Sequence, residues 1–337
     1  MLIKTPSGWE IPERLVTPEE VYLNRRKFLA RAGAGVLAGV GRLIMPGSAG
    51  LLWGNEQYEP ANLPPLTAAR NPEYKTDRPI SSERAGTGYN NYYEFTEAKD
   101  QVWKVAREFQ PRPWQIEFKG HIEKPIKIDV DDLIKKMTLE ERVYRHRCVE
   151  RWVVIVPWIG FPLKKLVEFA APTAKARYVR MLSFFRLSQA EGQSRATWYP
   201  WPYHEGLKME EATNELAFVV VGVYGKILPN QNGAPLRVHT PWKYGFKSIK
   251  ATTRFEFTDK QPPTFWNEVV PTEYDFEANV NPAKPHPRWS QAHEQIVETG
   301  EVVPTKLYNG YEKYVAHLYK WRPLLAGRGS SSVHPSR

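Results

Sequence analysis

Along much of the chain, apolar residues alternate with polar ones instead of recurring every three or four positions. Trp114, Ile116 and Phe118 are separated by Gln115 and Glu117, and Ile126, Ile128 and Val130 repeat the pattern. A period of two turns one face of a strand toward a core. Residues 143–149 and 178–183 read as further strands, the apolar run 216–223 as a fully buried one, and 236–239 as a short one. Over 248–257, Ile249, Ala251, Thr253, Phe255 and Phe257 fall on a single strand face. Helical spacing is confined to short stretches. Val102, Val105, Ala106 and Phe109 predict a helix over 100–109, stopped by Pro111 and Pro113. A second falls over 131–137 and a third runs from Pro162 through Phe169, where the missing proline N–H costs nothing in the first turn. A fourth is expected around 311–319. Strands that outnumber helices and do not alternate with them predict an α+β fold, not a doubly wound sheet.

Turn residues sharpen the domain limits. Of the 29 Pro, 13 fall in 50–89, which reads as an extended wrapping segment, in the loop 228–235, and in the irregular stretch 258–300. No clean linker interrupts 90–323, so this span is expected to be one catalytic domain, followed by a tail over 324–337. The first 49 residues have another character. Arg25-Arg26-Lys-Phe-Leu29 precedes a Gly- and Ala-rich apolar stretch broken by Arg42. A basic segment, then a weakly apolar one, then small residues is the pattern of an export signal, and the paired arginines make it look like a twin-arginine signal. The apolar part is too short for a membrane span, which needs about 20 residues.

The net charge of +10 favours an anionic partner, such as a phosphate-bearing cofactor or a membrane surface. Nucleic acid is excluded as the main partner, because the charges are scattered and no nucleic-acid-binding motif is visible. The single cysteine, Cys148, excludes disulfides, Cys-rich zinc sites and a cluster held by this chain alone. It lies in Tyr144-Arg-His-Arg-Cys-Val-Glu-Arg-Trp152, where Arg147 and His146 are expected to lower the thiol pKa. His146, Cys148 and Glu150 share one strand face. A buried inert thiol, a nucleophile with a histidine base and a metal ligand all fit this segment. In the loop Leu228-Pro-Asn-Gln-Asn-Gly-Ala-Pro-Leu-Arg237 and the strand after it, Arg237, Lys247 and Lys250 are candidates to pair with phosphate.

Taken in order, these segments resemble a known family. Tyr89-Asn-Asn-Tyr-Tyr-Glu-Phe95, Arg147-Cys-Val-Glu-Arg-Trp152, Ile155-Val-Pro-Trp-Ile-Gly-Phe-Pro-Leu163, the 228–237 loop and Pro241-Trp-Lys-Tyr-Gly-Phe-Lys-Ser-Ile-Lys250 look like the molybdenum-containing catalytic subunit of periplasmic protein-methionine-sulfoxide reductases. The resemblance implies a sulfite-oxidase-type molybdopterin-binding fold with mixed sheets and short helices. No added dimerisation domain is expected, and hence a monomer. It implies Cys148 as thiolate ligand to molybdenum and Asn90, Tyr93 and Glu94 as molybdopterin contacts. Ser183 would reach the cofactor from the strand after the Pro162 helix. Asn232 and Arg237 would hold it from the Asn-rich loop, and Ser248, Ile249 and Lys250 would meet its phosphate end.

The implied reaction takes oxygen from methionine sulfoxide in periplasmic proteins. Its electrons would come from a quinol-fed, haem-bearing membrane subunit, since this chain has no haem-attachment or flavin motif. Trp152, Trp158, Trp198, Trp201, Tyr203 and Trp242 are candidate walls for the substrate, and Tyr244 and His146 candidate donors to the sulfoxide oxygen. A same-fold molybdenum enzyme acting on other S-oxides, N-oxides or sulfite, a metal-free thiol hydrolase and a non-catalytic binding protein remain as alternatives.

Overall fold

The structure, a computed structural model, describes residues 58–319. The export segment over 1–49, the start of the wrapping segment and the whole tail over 324–337 lie outside the described residues. The chain runs β1 (Ala69–Arg70), β2 (Gln115–Gly120), β3 (Ile126–Asp129), β4 (Glu140–Arg147), β5 (Trp152–Pro162), β6 (Tyr178–Ser183) and β7 (His204–Lys208). It continues through β8 (Phe218–Val223), β9 (Lys226–Ile227), β10 (Arg237–His239), β11 (Thr252–Thr258), β12 (His293–Ile296) and β13 (Val302–Pro304). All described helices are short, so the fold is α+β, with two mixed sheets in one compact unit.

The larger sheet is built around β5. β4 lies antiparallel along one of its edges, from Arg147 opposite Val153 to Glu140 opposite Gly160. The other edge is shared by β8, antiparallel, and β12, parallel. β5 is buried along nearly its whole length because both its faces are covered, and so its sequence is a continuous apolar run without alternation. That run, containing Pro157 and Gly160, carries no strand periodicity, and sequence pattern alone predicts no strand there. At Gly160 the pairing with β8 shifts register, and a Cβ there would lie 1.8 Å from the Val219 carbonyl oxygen, so only glycine fits.

The smaller sheet has the order β3-β2-β11-β6-β7, parallel only between β2 and β11. Its alternation is as expected: Ile116 and Phe118 are buried on β2, and Val179 and Met181 on β6. The helix Leu163–Ala170 buries Leu163, Leu166, Val167 and Ala170, one stripe at helical spacing, with Pro162 as its N-cap residue.

Several expectations change. The helix over 100–109 shrinks to Val102–Val105. The wrapping segment is not wholly extended: β1 pairs with the edge of β4, and Glu83–Gly88 is helical, with the Ser82 hydroxyl accepting from Ala85 N. The strand placed over 248–257 begins at Thr252. Ala251 takes φ +44° and the register with β6 slips between Thr252 and Arg254, which frees residues 248–250 to turn toward a cavity. The nominally irregular 258–300 holds the helix Phe265–Val269 and strand β12.

One polar cluster fixes the end of β4. Arg145 and Arg147, two apart on one strand face, both reach Glu294 of β12, and all three side chains are almost completely buried. Arg145 also bonds Asn309 Oδ1 at 3.1 Å, and Arg147 bonds Gln291 Oε1 at 2.8 Å. Removing the shared carboxylate leaves the buried Arg147 with no carboxylate and Arg145 with only the half-exposed Asp77 at 3.3 Å. Glu294→Ala is therefore expected to lower unfolding free energy by about 3–5 kcal/mol, read as a shift in urea midpoint.

Candidate active site

Five stretches far apart in sequence, together with Tyr203, converge on an open cavity with about 870 Å³ of empty space, part of it open to solvent. They are residues 86–94, the end of β4 with the turn into β5, residues 232–237, residues 245–250, and an aromatic stretch containing Trp266 and Tyr274. Cys148 sits at the first position of the tight turn between β4 and β5. Its backbone N–H bonds Trp152 O at 2.9 Å and its carbonyl accepts from Arg151 N at 3.0 Å. The turn is anchored from behind, because Trp289 Nε1 and Gln291 Nε2 both donate to Val149 O, at 2.9 and 2.8 Å. His146, at the end of β4, lines the cavity together with Cys148, Val149 and Glu150, because the strand stops at Arg147 and the turn presents three consecutive residues.

The thiol does not have the electrostatics expected of it. Arg147 points away to Glu294, and its nearness in sequence gives Cys148 little help. Burial, first, and the Glu150 carboxylate, second, push the Cys148 thiol up to about 12. Burial likewise holds His146 well below the ordinary histidine range, so its ring is neutral, and its Nδ1 has no partner. Cys148 Sγ faces Asn91 Oδ1 at 3.6 Å and accepts from Glu150 N at 3.4 Å. A thiol in this state is a poor nucleophile, which removes the basis for a thiol hydrolase. It can become a thiolate where a bound cation draws off its proton.

The opposite side of the cavity is cationic. Arg237 is buried and has no carboxylate partner among the described residues; its guanidinium bonds the carbonyls of Asn232 and Ser248, at 3.0 and 3.1 Å. Burial lowers its pKa to about 10. Lys250 Nζ bonds Asn90 Oδ1 at 2.8 Å and Asn91 O at 2.5 Å. Burial and the nearby Arg237 charge depress the Lys250 pKa strongly. Glu94, buried behind them, is raised by desolvation. Polar atoms here lack partners: Asn90 Nδ2, Tyr92 OH, Asn232 Oδ1 and Arg237 Nε. Buried groups of this kind are normally satisfied, so the cavity is built for an anionic ligand rich in hydrogen-bonding groups. Among the described residues, no group of three His, Cys, Asp or Glu side chains stands ready to hold a metal ion. A metal at Cys148 would therefore draw its remaining donors from that ligand.

Of the ten residues singled out in the sequence, nine line this one cavity: Asn90, Tyr93, Glu94, Cys148, Asn232, Arg237, Ser248, Ile249 and Lys250. Ser183 does not. Its Oγ donates to Lys250 O at 2.8 Å from behind the wall, and so it positions the loop instead of facing the cavity. Lys247 is likewise no phosphate candidate: its ammonium is buried against Glu205 at 2.7 Å and donates to Gly206 O.

Among the expected walls, Trp152, Trp158 and Tyr203 line the cavity, whereas Trp198, Trp201 and Trp242 do not; of the two expected donors to the sulfoxide oxygen, His146 lines it and Tyr244 does not. Trp242 is in the core, donating to Tyr319 OH at 2.8 Å, and Trp198 is half exposed at the surface. Sequence reasoning missed Asn91, which joins the thiol to Trp152 Nε1 (3.2 Å) and Glu150 (3.4 Å). It also missed the aromatic bank of Trp266 and Tyr274, because 258–300 carries no periodicity, and Phe246, which was quoted within its motif but assigned no role.

Two neighbouring lysines should therefore respond differently to removal of charge. Lys247→Met leaves Glu205 buried and unpaired and is expected to cost about 3–5 kcal/mol in thermal or urea unfolding. Lys250→Met should leave the unfolding midpoint of the ligand-free protein nearly unchanged and reduce retention of an anionic ligand through purification.

The family model described as an oxidoreductase molybdopterin binding domain matches residues 103–266. The protein-methionine-sulfoxide reductase catalytic subunit MsrP of Burkholderia mallei (strain ATCC 23344) is 45% identical over 318 residues, 93% of this chain and 94% of that one. The subunit of the same name from Ralstonia nicotianae (strain ATCC BAA-1114 / GMI1000) is 42% identical over 334 residues, covering 95% and 97%. The crystal structure of the sulfane dehydrogenase SoxCD from Paracoccus pantotrophus aligns with 62% of this chain and 57% of that one at 15% identity and a TM-score of 0.39, too distant to argue from. Molybdopterin brings a phosphate and a pair of sulfur donors, which are the two things the cavity and its lone thiol lack. With relatives that match it nearly end to end and a cavity that fits their cofactor, the chain belongs to the family of protein-methionine-sulfoxide reductase catalytic subunits.

Proposed function

We propose that this protein is an oxidoreductase that reduces methionine sulfoxide in oxidised proteins, with molybdenum held by molybdopterin and by Cys148. The observation that carries the proposal is one cavity that joins a lone buried thiol to two cations which, among the described residues, face no carboxylate within ion-pair reach. The reaction converts R₂S=O, two electrons and two protons into R₂S and water. When bound, the cofactor supplies a metal able to exchange two electrons and an oxygen atom.

The residues of the chain do the rest. Cys148 provides the protein's thiolate ligand, its position fixed by the anchored turn. Arg237 and Lys250 balance the anionic charge of the cofactor, and Asn90 and Asn232 offer the hydrogen-bonding groups left unpaired. Val149, Phe246, Trp266 and Tyr274 supply an apolar wall suited to a thioether stem, since aromatic edges attract sulfur. Glu150 lines the mouth, held by Lys99 at 2.8 Å, where it can take part in proton delivery.

The electrons come from a partner. The proposed donor is a haem-bearing membrane subunit fed by quinol, and the excess of Lys and Arg supports docking near anionic lipid. The arginine pair and small-residue stretch before residue 50 support export by the twin-arginine machinery and a periplasmic location.

Metal analysis of natively exported protein should find one molybdenum per chain. A reduced dye should be oxidised only when methionine sulfoxide is present, and faster than with N-oxides or sulfite. Cys148→Ser is expected to abolish turnover; a Cys148→Ser enzyme working at the wild-type rate would sink the assignment. Faster turnover on an N-oxide or on sulfite would move the protein to another substrate within the same fold.

A further inference from the structure

The β6–β7 connection, residues 184–203, is a platform that holds apolar side chains out into solvent. Among the described residues, five large apolar side chains stand exposed, and three belong to this one connection: Phe185 (55%), Leu187 (49%) and Trp198 (49%). The connection is tightly fastened. Gln193 Nε2 donates to Phe184 O at 2.8 Å, Gln193 Oε1 accepts from Arg186 N at 2.9 Å, and Gln193 N donates to Glu94 O at 3.1 Å. Gly192 packs so closely on Tyr93 that a Cβ would lie 2.0 Å from the Tyr93 carbonyl oxygen. The exposed side chains therefore stand on a rigid base set directly against the cavity wall. Burying any of them would yield free energy that the isolated chain does not collect.

The platform is continuous with the cavity. Trp198 and Tyr199 have ring centroids 5.9 Å apart, and Tyr199 is 5.9 Å from Trp266, which lines the cavity beside Tyr93 and Tyr274. The exposed indole thus lies within about 12 Å of the wall where a sulfoxide side chain would sit. An extended chain advances roughly 3.3 Å per residue, so about three to four residues bridge that gap. The platform presents no cluster of free cations, and its one arginine without a carboxylate is used at its base. Glu191 pairs with Arg195, and Arg186 bonds Gln110 O at 2.8 Å while covering the Trp114 ring. An anionic lipid surface would call for unmatched lysines or arginines instead.

We propose that Phe185, Leu187 and Trp198 form the docking surface for an extended segment of an oxidised client polypeptide, whose methionine sulfoxide side chain enters the adjoining cavity. The inference rests on the proposed function and adds to it where the client main chain lies. Apolar and aromatic contact is tolerant of sequence, which suits a repair enzyme that must accept many clients.

The test uses holoenzyme carrying Trp198→Ser, Phe185→Ser or Trp198→Phe. Two substrates are compared: an unfolded, chemically oxidised methionine-containing polypeptide, and N-acetylmethionine sulfoxide. Trp198→Ser is expected to raise KM for the polypeptide about tenfold, near 1.4 kcal/mol, with kcat unchanged. Phe185→Ser should do so by less, and Trp198→Phe should restore most of the loss. Both parameters for the small sulfoxide should stay within about twofold of wild type, as should molybdenum content.

An unchanged polypeptide KM overturns the proposal, and so does an equal loss on both substrates, which would mean that Trp198 acts through Trp266. Sedimentation showing a wild-type dimer that Trp198→Ser dissociates would assign the surface to a second copy, and loss of vesicle co-sedimentation would assign it to lipid. Either result overturns the proposal too. A wild-type enzyme inactive on the small sulfoxide sinks the assignment of function and this proposal with it. Activity on the small sulfoxide, with no effect of Trp198→Ser on the polypeptide, sinks this proposal alone.

Discussion

The geometry of the site depends on a buried carboxylate shared by two arginines. Glu294, brought in by β12, is the counterion of both Arg145 and Arg147. That arrangement turns the side chain before Cys148 away from the cavity and ties the β4–β5 turn to the segment 289–305. An exposed ion pair contributes little, but a desolvated one with further hydrogen bonds has few alternative arrangements. A metal ligand needs this constancy of position, because its supporting groups set its direction as much as its own rotamer does. The cluster also leaves burial to decide the state of the thiol: His146 beside it is neutral, and the Arg147 charge, engaged with Glu294, lowers its pKa by less than burial and Glu150 raise it.

The opposite wall works by incompleteness. Arg237 bonds to carbonyls, Lys250 to an amide and a carbonyl, and Asn90, Asn232 and Tyr92 keep atoms without partners. Elsewhere the same protein pairs its buried cations directly: Lys243 with Glu211 and Lys247 with Glu205. Two ways of treating buried charge therefore coexist within one loop, residues 240–250. The paired lysines pin the loop to β7 and the helix beside it. The unpaired one is left to a ligand.

This division was only half legible in the sequence. Composition and motif placed Arg237, Lys247 and Lys250 together as anion candidates, and nothing in local sequence distinguishes the lysine that will find a glutamate on β7 from the one that will not. The alternating strands β2, β3 and β6 could be read directly, since a half-buried strand writes its burial as a period of two. β5 could not: burial on both faces erases the period, and Pro157 and Gly160 break up the kind of plain apolar run by which the equally buried β8 was still legible. The aromatic bank was hidden for a related reason: Trp266 and Tyr274 lie in a Pro-rich stretch whose structure is set by what it packs against. Asn91 was quoted within its motif yet assigned no role, for its partners Trp152 and Glu150 are about sixty residues away in the chain. The family resemblance supplied what periodicity could not, pointing to nine residues that line the cavity and to Ser183, whose hydroxyl holds the Lys250 carbonyl from behind.

The order in which the walls emerge has a consequence for biosynthesis. Asn90 and Tyr274, on facing parts of the same cavity, are separated by more than half of the 337-residue chain. β12, which brings the counterion of the Cys148 turn, is made later still. No partial chain leaving the ribosome has a place for the cofactor, so loading must follow near-complete folding. Once loaded, the ligand stabilises the folded form by mass action, and the empty and filled proteins become distinguishable by their resistance to unfolding. A cell could sort the two on that difference alone, without inspecting the metal.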